Sequence, residues 1–172
     1  MYNYLLYFLA FSFLGWCAEV MFYIFKTGRL VNRGFAKGPF CPIYGVGISL
    51  SYLLLSSVEN LLLLALFSMA VATAVELAVG LAFDKLLGIR LWDYRGERWS
   101  IGGYVCPKFS LIWGVVSAAV IRLIPTLDPL LTLARSPRIC VLVLVAFVLM
   151  LLDIKRETVK AILGKRNLKA AT

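Results

Sequence analysis

The sequence predicts an all-α, polytopic membrane helix bundle of about five transmembrane helices, and three observations predict it. Of its 172 residues 62% are hydrophobic and only 16% charged, five long apolar stretches punctuate the chain, and its basic residues crowd into alternate connections. A crossing takes about 20 mostly apolar residues, with about 17–25 tolerated, and a chain this apolar belongs by composition to the membrane class. The stretches are residues 4–25, 41–57, 60–83, 109–127 and 138–154. They divide the chain into one transmembrane domain, 1–154, and a basic tail, 155–172.

The basic residues set the orientation. None precedes the first stretch; four follow it (Lys26, Arg29, Arg33, Lys37) and none lies between the second and third. Five follow the third (Lys85, Arg90, Arg95, Arg98, Lys108), two the fourth (Arg135, Arg138) and six occupy the tail (Lys155, Arg156, Lys160, Lys165, Arg166, Lys169). Cytoplasmic loops collect Lys and Arg. An outside N-terminus puts fifteen bases inside and two outside, so the bundle is N-out and C-in. The net charge of +9 is then a matter of topology and of anionic inner-leaflet lipid, not of nucleic acid. The first helix is expected to stay attached: it lacks a basic leader, its run is too long for a signal peptide, and Glu19 interrupts it.

Taken in order, the first four helices read as one two-helix unit written twice, residues 4–57 and 60–127, with 138–154 as an extra helix. In the first copy a helix carries Glu19, passes a basic loop and reaches Gly38-Pro39-Phe40-Cys41-Pro42; in the second a helix carries Glu76, passes a longer loop and reaches Gly103-Tyr104-Val105-Cys106-Pro107. An aromatic-glycine pair follows each, Tyr44-Gly45 and Trp113-Gly114. Each copy runs out-to-in and back, so the repeat is parallel, with its axis along the membrane normal. Proline in the first helical turn costs nothing, because that amide lacks a partner anyway. Cys-Pro therefore marks a helix start at the inner interface. The connection 84–108, with Trp92, Tyr94, Trp99 and Tyr104, is too long to be structureless, and is expected to lie on or fold partly into the inner surface. The tail, with Val159, Ile162 and Leu163 among bases, reads as an interfacial extension of the last helix.

Chemistry is narrowed by absences in the sequence. There is no histidine, which excludes His-based relays, Ser-His-Asp and Cys-His catalysis. Cys41 and Cys106 stand at cytoplasmic helix ends, where thiols stay reduced, and Cys17 and Cys140 read as small packing residues. No metal site, cofactor or catalytic residue is expected, and an enzyme acting through Cys41, Cys106 and Asp93 is the least favoured class.

The carboxylates inside the first and third stretches are the chemical centre. A charge at mid-membrane costs about 2.5–3.5 kcal/mol on insertion scales, so a residue kept there faces a cavity, a partner or a relay. Ser12, Gly15, Trp16 and Glu19 share one helix face; Ser68, Ala72, Glu76 and Gly80 form one row with Thr73 beside it. Such small, polar stripes let helices approach closely. Both glutamates are expected to point into the bundle, towards each other across the repeat axis. Glu19, Glu76, Trp16, Tyr44, Ser12 and Thr73 are the candidate substrate- or cation-binding residues. The alternative is that each glutamate only accepts hydrogen bonds from Trp16, Tyr44 or a loop arginine and locks the fold. Arg122, alone inside a stretch, is expected to snorkel towards Glu59 or Asp128.

Segments 12–19 (SFLGWCAE) and 32–45 (NRGFAKGPFCPIYG), with Trp92-Asp93-Tyr94 and Trp113-Gly114, resemble the ABC-transporter type IV family of small prokaryotic membrane proteins, over roughly residues 4–120. The stretch 99–103 departs from the asparagine-containing pattern of that family. The resemblance implies a permease-like subunit in a prokaryotic plasma membrane. It draws attention to Asn32, Arg33, Gly34, Gly38, Pro39, Cys41, Pro42, Trp92, Asp93, Tyr94, Cys106 and Trp113 as an inner-loop partner or structural motif. No G-x-x-x-x-G-K-[ST] loop occurs, so ATP hydrolysis would fall to a separate cytosolic ATPase docked on the loops. The small size calls for a second membrane subunit or a homo-oligomer. Two other readings compete: a proton-coupled small exporter in which proton and cation share a carboxylate, and a non-transporting scaffold whose inner loops recruit a cytosolic protein.

Overall fold

A run of leucine, phenylalanine and alanine makes the first helix, α1 (Tyr2–Thr27). It stops where Gly28 takes φ +68° and returns its amide to the Ile24 carbonyl at 2.7 Å, a left-handed stop that glycine adopts without steric cost. The second helix, α2 (Pro42–Leu55), starts on a proline behind the extended Cys41. The third, α3 (Leu61–Ala82), is capped by Asn60, whose Oδ1 accepts the Leu63 amide at 3.0 Å. It continues through a π-helical turn, Phe83–Leu87, to Gly88 at φ +70°. The last two, α4 (Pro107–Leu133) and α5 (Pro137–Ala170), again open on prolines. The structure, a computed structural model, describes residues 2–32, 34–133 and 136–170; Arg33 and Arg135, counted above among the loop bases, lie outside the described residues.

The described residues form helices and no strand, apart from an isolated bridge between Ile101 and Val105. Four of the five helices are long and apolar enough to cross a membrane. The exception is α2, within the crossing expected at 41–57. Helix α2 has 14 residues, about 21 Å at 1.5 Å per residue against a hydrocarbon core of about 30 Å. The reason is a contact distant in sequence: the Cys41 amide donates to the Ser12 carbonyl at 2.9 Å, and Ser12 is near the middle of α1. The chain has already turned back into the bundle before α2 begins. At the other end, α4, which contains Pro125, continues beyond residue 127 through Pro129 to Leu133, and α5 runs without a break from the expected span into the tail.

Glycines set the helix contacts. A Cβ on Gly45 would stand 2.2 Å from Ser12 Oγ and 2.3 Å from the Phe8 carbonyl, and one on Gly114 would stand 2.6 Å from Met69 Cβ and 2.9 Å from the Ala65 carbonyl. Both α1–α2 and α3–α4 thus pack with a glycine pressed on the residues seven and eleven positions before that hairpin's glutamate. Away from the loops the bundle is filled. Tyr7, Ile48 and Ile124 form one buried cluster and Leu64, Ala118 and Ile121 another. The Tyr7 and Tyr52 rings meet edge to face at 5.5 Å. Helix α5 lies outside α1, touching it through Leu9, Val143 and Met150, while Leu142, Val145, Leu149 and Leu152 face outward.

Gly45→Ala should lower the melting temperature in detergent, since forcing a methyl against a backbone carbonyl costs about 1–3 kcal/mol. Gly47→Ala, where nothing lies within 4 Å, should be neutral or stabilising. Equal melts for the two variants would contradict the packing described.

Candidate functional site

Between the two hairpins, on the side of the loops, the filled core gives way to a cavity of about 530 Å³. Ile48, Ser117 and Val120 line its deep part; each helix of the hairpins adds a polar or aromatic side chain: Glu19 from α1, Tyr44 from α2, Glu76 from α3 and Trp113 from α4. The loops close around it with Phe35, Ala36, Leu91, Trp92 and Tyr94.

Glu19 and Glu76 each hold a phenol. Tyr44 Oη donates to Glu19 Oε1 at 2.5 Å, and Tyr94 Oη to Glu76 Oε1 at 2.9 Å. Tyr44 reaches its partner because Gly15 leaves the space: a Cβ there would stand 2.3 Å from the ring. Tyr94 is held by stacking on Phe109, ring centroids 4.6 Å apart. Burial, then the neighbouring Glu76 carboxylate, pushes the Tyr94 phenol well above its ordinary range, so it remains a donor at neutral pH. The Tyr44 and Trp113 rings meet edge to face at 5.3 Å, joining the hairpins across the cavity. Glu76 is 6% exposed, and its Oε2 is buried, with the Trp113 indole as a neighbouring donor but no hydrogen bond of full geometry among the described residues. The carboxylates share this cavity, each engaged by its own tyrosine, which refines the expected face-to-face arrangement. The ion pairs among the described residues lie elsewhere, at Arg90–Asp84, Arg90–Asp93, Arg95–Asp93, Lys108–Glu97 and Lys160–Glu157.

The loops are folded pieces. In the first, Asn32 Oδ1 accepts from Trp16 Nε1 at 2.8 Å and from the Gly34 amide at 3.0 Å, while its amide nitrogen donates to the Lys37 carbonyl at 2.8 Å. The Gly38 amide donates to Asp153 Oδ2 on α5 at 2.7 Å, and Phe35 meets Phe83 edge to face at 4.8 Å. In the second, Trp92 Nε1 donates to the Tyr104 carbonyl at 2.7 Å and Tyr104 Oη to Asp84 at 2.5 Å. Gly80 gives both rings room on α3, since a Cβ there would stand 3.1 Å from Tyr104 and 3.3 Å from Trp92. Hydrogen bonds from Arg95 hold the Asp93 carboxyl down at about 2.

Of the six candidate binding residues, Glu19, Glu76 and Tyr44 line the cavity and three do not. Trp16 turns to Asn32, the Ser12 hydroxyl donates to the Phe8 carbonyl at 2.6 Å beneath Gly45, and the Thr73 hydroxyl donates to the Met69 carbonyl at 2.7 Å. Helical spacing put them on a polar face, but local backbone acceptors and the first loop took their donors. From the loop motif, Cys41, Pro42, Trp92, Tyr94 and Trp113 are on the cavity wall; Pro39 is exposed and Cys106 is buried away from it. None of the four cysteines forms a disulfide. Arg122 donates to the backbone carbonyls of Val58 and Glu59, tying α4 to the α2–α3 connection; the side chain of Asp128, one of its two expected partners, lies outside what is described. Sequence reasoning missed Asp153 as the anchor of the first loop, and Tyr94 as the partner of Glu76.

Tyr94→Phe should cost about 1–3 kcal/mol of unfolding free energy, the penalty for stranding a buried acceptor. The cost should shrink in a Glu76→Gln background, read by denaturation in mixed micelles. An equal cost in both backgrounds would contradict the contact.

A family model described as Putative ABC-transporter type IV matches residues 6–157, most of the chain. No curated protein and no solved structure matches it. Together with helices able to cross a membrane, the match makes this a multi-pass membrane protein of the transporter kind. The chain belongs to the Putative ABC-transporter type IV family.

Proposed function

We propose that this chain is a permease-like membrane subunit whose solute site is the cavity bearing Glu19 and Glu76. One observation carries the reading: acidic side chains from two separate hairpins line a single chamber, sealed at its far end by Tyr7, Ile48 and Ile124. Retaining two carboxylates at this depth is costly unless they serve a solute, a proton or each other. In this reading the basic loops are cytoplasmic, in a prokaryotic plasma membrane, and the chamber is reached from their side, an inward-facing conformation. The hairpins are read as copies of one unit; their shared glycine register, glycine stops and glutamate–tyrosine pairs support this.

Energy comes from a partner. Without a phosphate loop of its own, the subunit recruits a cytosolic ATPase through loops 28–41 and 88–106. Trp99 and Ile101, 73% and 66% exposed beside Arg98, are the projecting contacts. A second membrane subunit or another copy of the chain completes the pathway. The burial of the Glu76 carboxylate favours one competing mechanism, proton-coupled export without ATP, which dependence of proteoliposome uptake on a pH gradient alone would reveal. For a scaffold, by contrast, Glu19→Gln and Glu76→Gln would be silent.

Ala72 lines the chamber one helical turn beyond Glu76. In a cysteine-free variant, Ala72→Cys should react with a membrane-impermeant maleimide at least tenfold faster from the cytoplasmic face than from the outer face. Equal rates, or reaction from the outer face alone, would contradict an inward-open chamber.

A further inference from the structure

The chemistry of the chamber wall narrows what it can hold. Glu76, 6% exposed with one oxygen fully buried beside the Trp113 indole, and Glu19 are the two acidic groups on the chamber wall. Neither carboxylate is in an ion pair among the described residues. In a medium of low dielectric such an oxygen attracts positive charge far more strongly than it would in water. A hard metal ion is a poor match: calcium takes about 6–8 oxygen ligands and magnesium a near-ideal octahedron. Here one oxygen of each carboxylate is already engaged by a phenol, and no three acidic, cysteine or histidine groups converge among the described residues. The remaining wall is apolar and aromatic, with Tyr44, Trp92, Tyr94 and Trp113 around the acids. Aromatic faces attract cations within about 6 Å of the ring centroid, tryptophan best, and they cover apolar substituents as well. A volume of about 530 Å³ falls in the range that encloses drug-sized organic molecules, about 300–1,000 Å³.

We infer that the chamber selects an organic cation, one delocalised positive charge carried on an apolar body, over metal ions and over anions of the same shape. The inference rests on reading the chamber as the solute site, and it adds the substrate class. Fixed charge distinguishes it from simple hydrophobic uptake, so the probes are tetraphenylphosphonium and its anionic isostere tetraphenylborate.

Binding of each probe to the full chain in nanodiscs, corrected for partition into empty nanodiscs, is followed by tryptophan fluorescence and calorimetry. Tetraphenylphosphonium should bind at least tenfold more tightly than tetraphenylborate, and millimolar magnesium or calcium should not displace it. Glu76→Gln should reduce tetraphenylphosphonium affinity at least tenfold while leaving tetraphenylborate affinity unchanged. Equal affinity of the two probes in the wild-type protein, or displacement by the divalent ions, would overturn the inference whether or not the variant folds. So would an unchanged affinity in folded Glu76→Gln. If maleimide labelling still shows a one-sided chamber, the transport reading survives and only the cationic substrate class falls.

Discussion

Tyr44 makes three contacts that the loop half of the bundle cannot form without it. Its ring lies where a side chain on Gly15 would be, its hydroxyl holds Glu19 at 2.5 Å, and its edge contact with Trp113 spans the two hairpins at 5.3 Å. Aromatic pairs of this geometry contribute about 0.5–1.5 kcal/mol beyond the area they bury. That is modest, but it acts where helix packing has stopped and a cavity has begun. Separating the rings would remove the aromatic bridge between the hairpins at the cavity wall, leaving Tyr7, Ile48 and Ile124 to join α1, α2 and α4 at its far end.

The two ends of the bundle obey different physics. Away from the loops, Ser12 and glycine contacts bring the helices together and isoleucine, leucine and tyrosine fill the interior. Lipid is as apolar as the helices, so close packing and hydrogen bonds, not hydrophobic exclusion, hold them. Towards the loops the packing is looser, and backbone outside the helices enters the bundle. Irregular backbone at such depth is tolerated only when protein or a water-filled cavity satisfies it. The first loop meets that demand with Asn32 and with Asp153, and the second with Trp92, Tyr104 and Arg90. The folded loops are therefore the wall that makes a chamber of the gap between hairpins.

Local chemistry made much of this legible in the sequence, and long-range contacts account for what was not. The apolar stretches, the Pro helix starts at Pro42 and Pro107 and the inward turn of Glu19 and Glu76 each follow from residues within a few turns. The length of α2 did not, because an apolar window cannot show that Cys41 already lies beside Ser12. Asp153 contacts Gly38 across 115 positions; its only sequence signal was an acidic residue near the inner end of the last stretch. Trp16 illustrates the limit of helical spacing. It stands close to the row of Glu19, yet its indole finds Asn32 in the loop and leaves the cavity to Tyr44.

The claim that most needs testing is that Tyr44 and Trp113 join the hairpins. A double-mutant cycle of Tyr44→Leu and Trp113→Leu, with unfolding free energies measured in mixed micelles, isolates that contact from everything else each residue does. The account predicts a coupling of about 0.5–1.5 kcal/mol between the two sites. Effects that add to within about 0.3 kcal/mol would mean that the rings do not meet and that the hairpins are not joined at the cavity wall.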